Sequence, residues 1–115
     1  MLSEIEIANI ERVVGAFIAR RRPPVNIRDK LDLGFRINGQ SVEIFEIHAA
    51  WRGAPTKEIE SPVAKTTYVR TQNVWKLYWM RQDLKRHGYD PLPEVRTIEE
   101  IVEEIETDPW CCFWG

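Results

Sequence analysis

The amino-acid sequence predicts an α+β fold: a four-stranded antiparallel β-meander with an N-terminal and a C-terminal helix packed on it. Three observations carry this reading. A segment near each end opens with a capping box and continues with apolar residues at helical spacing. Between them lie segments in which apolar and polar residues alternate with period two. The dipeptide Asn38-Gly39 separates two of these as a tight hairpin turn would.

Ser3 with Glu6 has the capping-box form, and Ile10, Val13, Val14, Phe17 and Ile18 make one buried stripe, so a helix is expected to about Arg21. Pro23 and Pro24 stop it, because proline lacks the backbone donor and drives the preceding residue into an extended conformation. Leu31, Leu33, Phe35 and Ile37 alternate with Lys30, Asp32, Gly34 and Arg36 as a half-buried strand does. Asn38-Gly39 tolerates positive backbone angles, so the chain is expected to return antiparallel from Gln40 through Val42, Glu43, Ile44, Phe45, Glu46 and Ile47. A loop from Ala50 to Pro62 leads to a third strand from about Val63 to Thr71, and a turn at Gln72-Asn73 feeds the fourth. After a loop through Gly88, Pro91 and Pro93, the Thr97/Glu100 capping box opens a second helix with Ile98, Ile101, Val102 and Ile105 on its buried face. Asp108-Pro109 ends it, and the apolar tail Trp110-Cys-Cys-Phe-Trp-Gly is expected to pack back onto the sheet.

The fourth strand, Trp75-Lys-Leu-Tyr-Trp-Met-Arg81, has apolar groups on both parities: Trp75, Leu77 and Trp79 on one, Val74, Tyr78 and Met80 on the other. Such a strand has no purely watery face, so something must cover part of each side, be it a helix, a loop or a partner.

Length and composition bound the rest. At 115 residues, 43% hydrophobic and 30% charged, the chain reads as a single domain spanning residues 1–115. Its apolar runs are short and its start, Met1-Leu-Ser-Glu-Ile-Glu, is acidic, so no membrane segment or signal peptide is expected and the protein is read as cytoplasmic. Cys111 and Cys112 are adjacent, which strains a mutual disulfide and offers no paired metal spacing with His48 or His87, so neither a metal nor another cofactor is expected. The formal net charge of −2 hides an asymmetry: bases concentrate between Arg12 and Arg36 and between Lys65 and Arg86, acids after Glu94. If the basic segments shared one face, the molecule would have a positive side.

Two constellations suggest chemistry. Glu46 shares the strand parity of Val42 and Ile44, where an acid needs a partner, and Lys65 on the next strand could supply one. A Glu-Lys pair with Asp32 nearby would suit a metal-dependent phosphodiesterase, the carboxylates holding a divalent ion and the lysine steadying negative charge. A cross-strand ion pair is the plainer reading, because too few further acids stand close by. The second constellation is basic and aromatic: Tyr68, Tyr78 and Lys76 on a sheet, flanked by Arg70, Arg81 and the Arg20-Arg21-Arg22 run, provide the stacking planes and phosphate partners that single-stranded nucleic acid requires. A third reading makes the acidic second helix or the apolar tail the docking surface for a protein partner or a second copy.

Several segments taken in order also resemble a known family: Arg21-Arg22-Pro23-Pro24, Val42-Glu-Ile-Phe-Glu46, Ala64-Lys65 with Tyr68, Trp75 to Arg81, and Cys112-Phe-Trp-Gly115. Together they resemble a family of small bacterial proteins known only as domain of unknown function 3024, and the resemblance spans nearly the whole chain. It implies a bacterial origin and no established activity. One departure is Arg86, where the resemblance leads to an aromatic residue. The functional expectation is a non-enzymatic binding module using Arg21, Arg22, Tyr68, Arg70, Lys76, Tyr78 and Arg81, with nucleic acid the first ligand. A protein-interaction or homo-oligomeric module and the phosphodiesterase are the alternatives.

Overall fold

The computed structural model describes residues 1–49, 58–80 and 85–114. Helix α1 (Glu4–Arg21) opens with the capping box: the Glu6 N–H donates to Ser3 Oγ at 3.1 Å and the Ser3 N–H to the Glu6 carboxylate at 2.7 Å. It stops at Arg22, whose extended backbone leads into the proline pair.

Strands β1 (Leu31–Asn38) and β2 (Ser41–Ala49) form the first hairpin, but the turn lies one residue later than expected. Asn38 pairs with Ser41 as the last rung, leaving Gly39-Gln40 as the loop, with Gly39 at φ +63°. Glycine at the first central position is the pattern of a type II′ turn, so Gly39 supplies the left-handed backbone and Asn38 remains in the ladder.

Strand β3 (Glu58–Val69) starts earlier than predicted, so residues 58–62 of the expected loop are strand, while residues 50–57 lie outside the described ones. A bulge explains how Pro62 is accommodated. Ile44 pairs with Ala64 and Phe45 with Pro62, leaving Val63 unopposed, and both Val63 and Ala64 are buried. Among the described residues the pairing of β3 with β4 (Val74–Met80) begins at Ala64, so no described rung on that side needs a donor from Pro62. Residues 70–73 connect β3 to β4, with Asn73 left-handed at φ 56°.

The structure adds two short strands that the sequence reading placed in a loop. Strands β5 (Arg86–Gly88) and β6 (Glu94–Val95) pair with opposite ends of β4 and together make a fifth row beyond the predicted four. Too short to show alternation, they are recruited by the open edge of β4; the Tyr89 N–H donates to the Leu77 carbonyl at 2.9 Å and the Leu77 N–H to the Pro93 carbonyl at 3.1 Å. The sheet is otherwise the predicted antiparallel meander, β1-β2-β3-β4, with β5 following β4.

Helix α2 (Ile98–Thr107) lies against α1, β4 and β6, while α1 packs on α2 and β1, so both helices cover the same face. The core on that side joins Ile10, Val14 and Phe17 to Leu33, Val42, Ile44, Trp75 and Leu77, and to Ile98, Ile101 and Ile105. Two polar groups inside it are paired. Thr66 donates to the Lys76 carbonyl at 2.9 Å, and the fully buried Tyr89 donates to Glu104 at 2.7 Å. Burial, reinforced by that bond, raises the Tyr89 phenol above its ordinary range and keeps it a donor.

The tail packs back on the helices, and Trp114 also reaches the end of the sheet, where it lines a cleft with Leu31, Leu33 and Glu46. The Asp108 carboxylate, on a left-handed C-cap, accepts the N–H groups of Cys112 at 2.8 Å, Phe113 at 3.2 Å and Trp114 at 2.9 Å. The chain thereby folds back, setting Phe113 on Tyr89 with ring centroids 4.9 Å apart and Trp114 near Phe17 at 6.3 Å. The Trp114 indole N–H donates to the Ile105 carbonyl at 2.8 Å.

Bonds to an ionised acceptor contribute roughly 1.5–3 kcal/mol each when unshared, so Asp108→Ala is expected to destabilise the fold by about 2–3 kcal/mol in urea denaturation. Asp108→Asn, which keeps an acceptor, loses roughly half as much. Unchanged midpoints for both would show that packing alone holds the tail.

Candidate nucleic-acid interface

Side chains alternate across a strand, so the helices' cover of one face leaves the other to a second set of residues. Their register forms continuous cross-strand rows. One runs Arg36, Glu43, Lys65, Tyr78, Gly88; the next runs Asn38, Ser41, Thr67, Lys76, Glu94. Among the described residues no helix lies on this face.

The two halves of the face differ. On β1 and β2, Phe45 lies across Gly34, where an added Cβ would meet the ring at 3.0 Å, and Arg36 stacks on Phe45 with its guanidinium carbon 4.4 Å from the ring centre. Arg36 also ion-pairs with Glu60 and, at 3.9 Å, with Glu43. This half is closed by its own side chains.

On β3, β4 and β5 the side chains stand apart. Lys65, Thr67, Tyr78 and Arg86 line a cleft of about 220 Å³. Thr67 shares a hydrogen bond with Ser41, their oxygens 2.8 Å apart. Gly88, directly opposite Tyr78, leaves open space where a side chain would stand. Burial pulls the Arg86 guanidinium below its ordinary range and Glu43 partly offsets this, yet arginine keeps its charge. One Nη atom of Arg86 is buried without a hydrogen-bond partner among the described residues. Cations, hydroxyls and an aromatic ring gathered this way can hold phosphate and stack a base.

The residues nominated from sequence do not share this face. Arg21 and Arg22 sit at the C-terminal end of α1, where Arg21 lies 3.9 Å over the Trp114 ring and Arg22 grips Asp32 with bonds of 2.9 and 2.7 Å. Tyr68 and Arg70 lie by the opposite end of α1, about 27 Å away along an 18-residue helix. Tyr68 is on the helix side of the sheet, packed on Trp75 at 5.2 Å and donating to Asn73 at 2.5 Å. Arg70 donates to Glu6 at 2.7 Å and to the Met1 carbonyl at 2.8 Å. Lys76 and Tyr78 occupy the second face, and Arg81 lies outside the described residues. The basic segments therefore do not merge into one positive side; Arg20 pairs with Glu106 at 3.1 Å, Arg22 with Asp32 and Arg70 with Glu6.

The proposed catalytic pair is also parted. Lys65 stands opposite Glu43 on the second face, whereas Glu46 stands opposite Ser61 on the helix face. Glu46 is half-exposed at the end of the sheet, with His48 at 3.7 Å, so the carboxylate reaches water and needs no buried partner. Asp32 is taken by Arg22 and by the Leu33 N–H at 2.8 Å, which blunts the exposed edge of β1. Sequence reasoning missed Thr67, Gly88 and Arg86. Thr67 shares the parity of Lys65 and could have been found from it; Arg86 and Gly88 lay in an expected loop, where no alternation assigns a face.

A family model described as Domain of unknown function (DUF3024) matches residues 2–115. No curated protein and no solved structure matches the chain.

Arg70, through its hydrogen bonds first, holds the Glu6 carboxyl down to about 2 from 4.5. With its folded value depressed, Glu6 stabilises the protein fully above about 4.5 and loses that contribution as pH falls toward 2. Melting temperatures of wild type and Glu6→Gln, which keeps the cap, are expected to differ at pH 7 and converge toward pH 2. A constant gap would mean that the ion pair is not its source.

Proposed function

Because this chain belongs to the DUF3024 family, whose description assigns no activity, its surface must indicate its role, and we propose that it is a non-enzymatic module binding single-stranded nucleic acid on the sheet face opposite its helices. The observation that carries the reading is the grouping of Lys65, Lys76 and Arg86 around Tyr78 on rows uncovered by any helix among the described residues. Phosphate contacts supply affinity without sequence preference, and stacking on tyrosine tolerates any base. Lys65 and Lys76 make no ion pair among the described residues, so they meet a strand without first breaking one. The phosphodiesterase alternative loses its support because Glu46 and Lys65 occupy opposite faces and Asp32 is held by Arg22.

The test is fluorescence anisotropy with labelled single-stranded DNA and RNA at low and moderate salt. Binding should be saturable and weaken with salt at a slope of about −0.7 per phosphate neutralised. Tyr78→Ala should cost about 1–2 kcal/mol, roughly 5- to 30-fold in Kd. Lys76→Ala should weaken binding and flatten the slope by about 0.7, whereas Arg21→Ala and Arg70→Ala should leave both unchanged. Absence of binding at low salt, or equal losses from Arg21→Ala and Tyr78→Ala, would overturn the proposal. Concentration-dependent mass without nucleic-acid binding would instead assign the face to a second copy of the chain.

A further inference from the structure

We infer that Arg86, Lys65, Thr67 and Tyr78 form a seat for one phosphate group, fixing a strand at the β5 edge of the face; this deepens the nucleic-acid reading and rests on it for the identity of the ligand that carries the phosphate. A guanidinium withdrawn from water stabilises a fold when a carboxylate or carbonyls repay its lost hydration, and destabilises it otherwise. Arg22, Arg36 and Arg70 are each repaid by carboxylates, but Arg86 makes no ion pair among the described residues and keeps a buried Nη without a partner. A buried donor left open in this way needs a reason.

The surroundings point to an anion. Arg86 and Lys65 bring two positive charges to one cleft, against the carboxylate of Glu43, which also serves Arg36. Thr67 and Tyr78 add hydroxyl groups on the same wall. The cleft, at about 220 Å³, holds several water volumes of roughly 30 Å³, enough for a phosphate group with part of its hydration. Arginine's planar fork suits two phosphate oxygens, lysine adds a point charge, and hydroxyls complete the shell. The missing side chain at Gly88 leaves room beside the Tyr78 ring for the sugar or base that follows. A phosphate presented by a strand end, as a monoester, and one within a strand, as a diester, both fit this chemistry.

Inorganic phosphate is the first probe, in a thermal-shift titration against sodium chloride of matched ionic strength. Phosphate at millimolar concentration should raise the melting temperature of the wild type by roughly 3 °C, saturably, and leave Arg86→Met unshifted. Arg86→Met alone should melt at or above the wild-type temperature, because it removes a desolvated charge and keeps the apolar stem. A phosphate-independent wild type, or an Arg86→Met protein that melts lower and still responds to phosphate, would overturn the seat. If Arg86→Met fails to fold, amide resonances of the wild type decide: phosphate should move Lys65, Thr67, Tyr78 and Gly88, and immobility of all four would refute the proposal. Oligonucleotides with a 5′-phosphate or a 5′-hydroxyl separate the two sources; preference of about fivefold or more for the former assigns a strand end, and equality an internal diester, provided Arg86→Met weakens both. Phosphate binding without oligonucleotide binding would retire the nucleic-acid reading and keep the seat, while oligonucleotide binding indifferent to Arg86→Met would do the reverse.

Discussion

One layer of helix can bury only one face of a sheet, and the rest of this structure follows from where that layer lies. Both helices and the tail sit on the side of Leu33, Val42, Ile44, Trp75 and Leu77, which empties that side of water. The alternate residues of the same strands must then manage the second face with their own side chains. On β1 and β2 they do so by folding Phe45 over Gly34 and capping it with Arg36. On β3 to β5 they leave Tyr78 flanked by cations and a glycine, and this difference between the halves gives the face its direction.

Charge pairing sharpens the distinction. Arg20, Arg22 and Arg70 tie α1 to α2, to β1 and to the turn after β3, through Glu106, Asp32 and Glu6. These arginines belong to the scaffold: each already holds a carboxylate, and releasing it for a ligand would cost the contacts that position α1. Exposed pairs of this kind contribute modestly to stability, but they fix charge in place and cancel much of the basic character visible in the sequence. Lys65, Lys76 and Arg86 are outside this network, and they stand on the face that the helices leave.

The strongly periodic parts of the chain are legible from the order of residues alone. Ser3-Glu6 and Thr97-Glu100 locate both helix starts, and the alternation of Leu31 to Ile37 and of Val42 to Ile47 defines the first hairpin. Less legible is anything decided by a single residue's choice of face. The bulge at Val63 depends on how Pro62 is accommodated, so Lys65 could not be placed against Glu43 from spacing alone. Strands β5 and β6 are too short to carry a period, and they form because β4 offers an edge. Arg86 therefore has no face in the sequence, although one of its Nη atoms is buried without a partner among the described residues. Asp108 reads as a helix stop, correctly, but its capture of three N–H groups depends on a left-handed backbone that composition does not announce.

On the proposed reading, the uncovered face, and no other, is expected to meet the ligand. A ¹H–¹⁵N correlation spectrum recorded while a short single-stranded oligonucleotide is added tests this directly. Progressive shifts are expected at Lys65, Thr67, Lys76, Tyr78, Arg86 and Gly88, with Arg21, Arg70 and Trp114 stationary. Shifts centred on Arg21 and Trp114, or none on the β3–β5 rows, would contradict it.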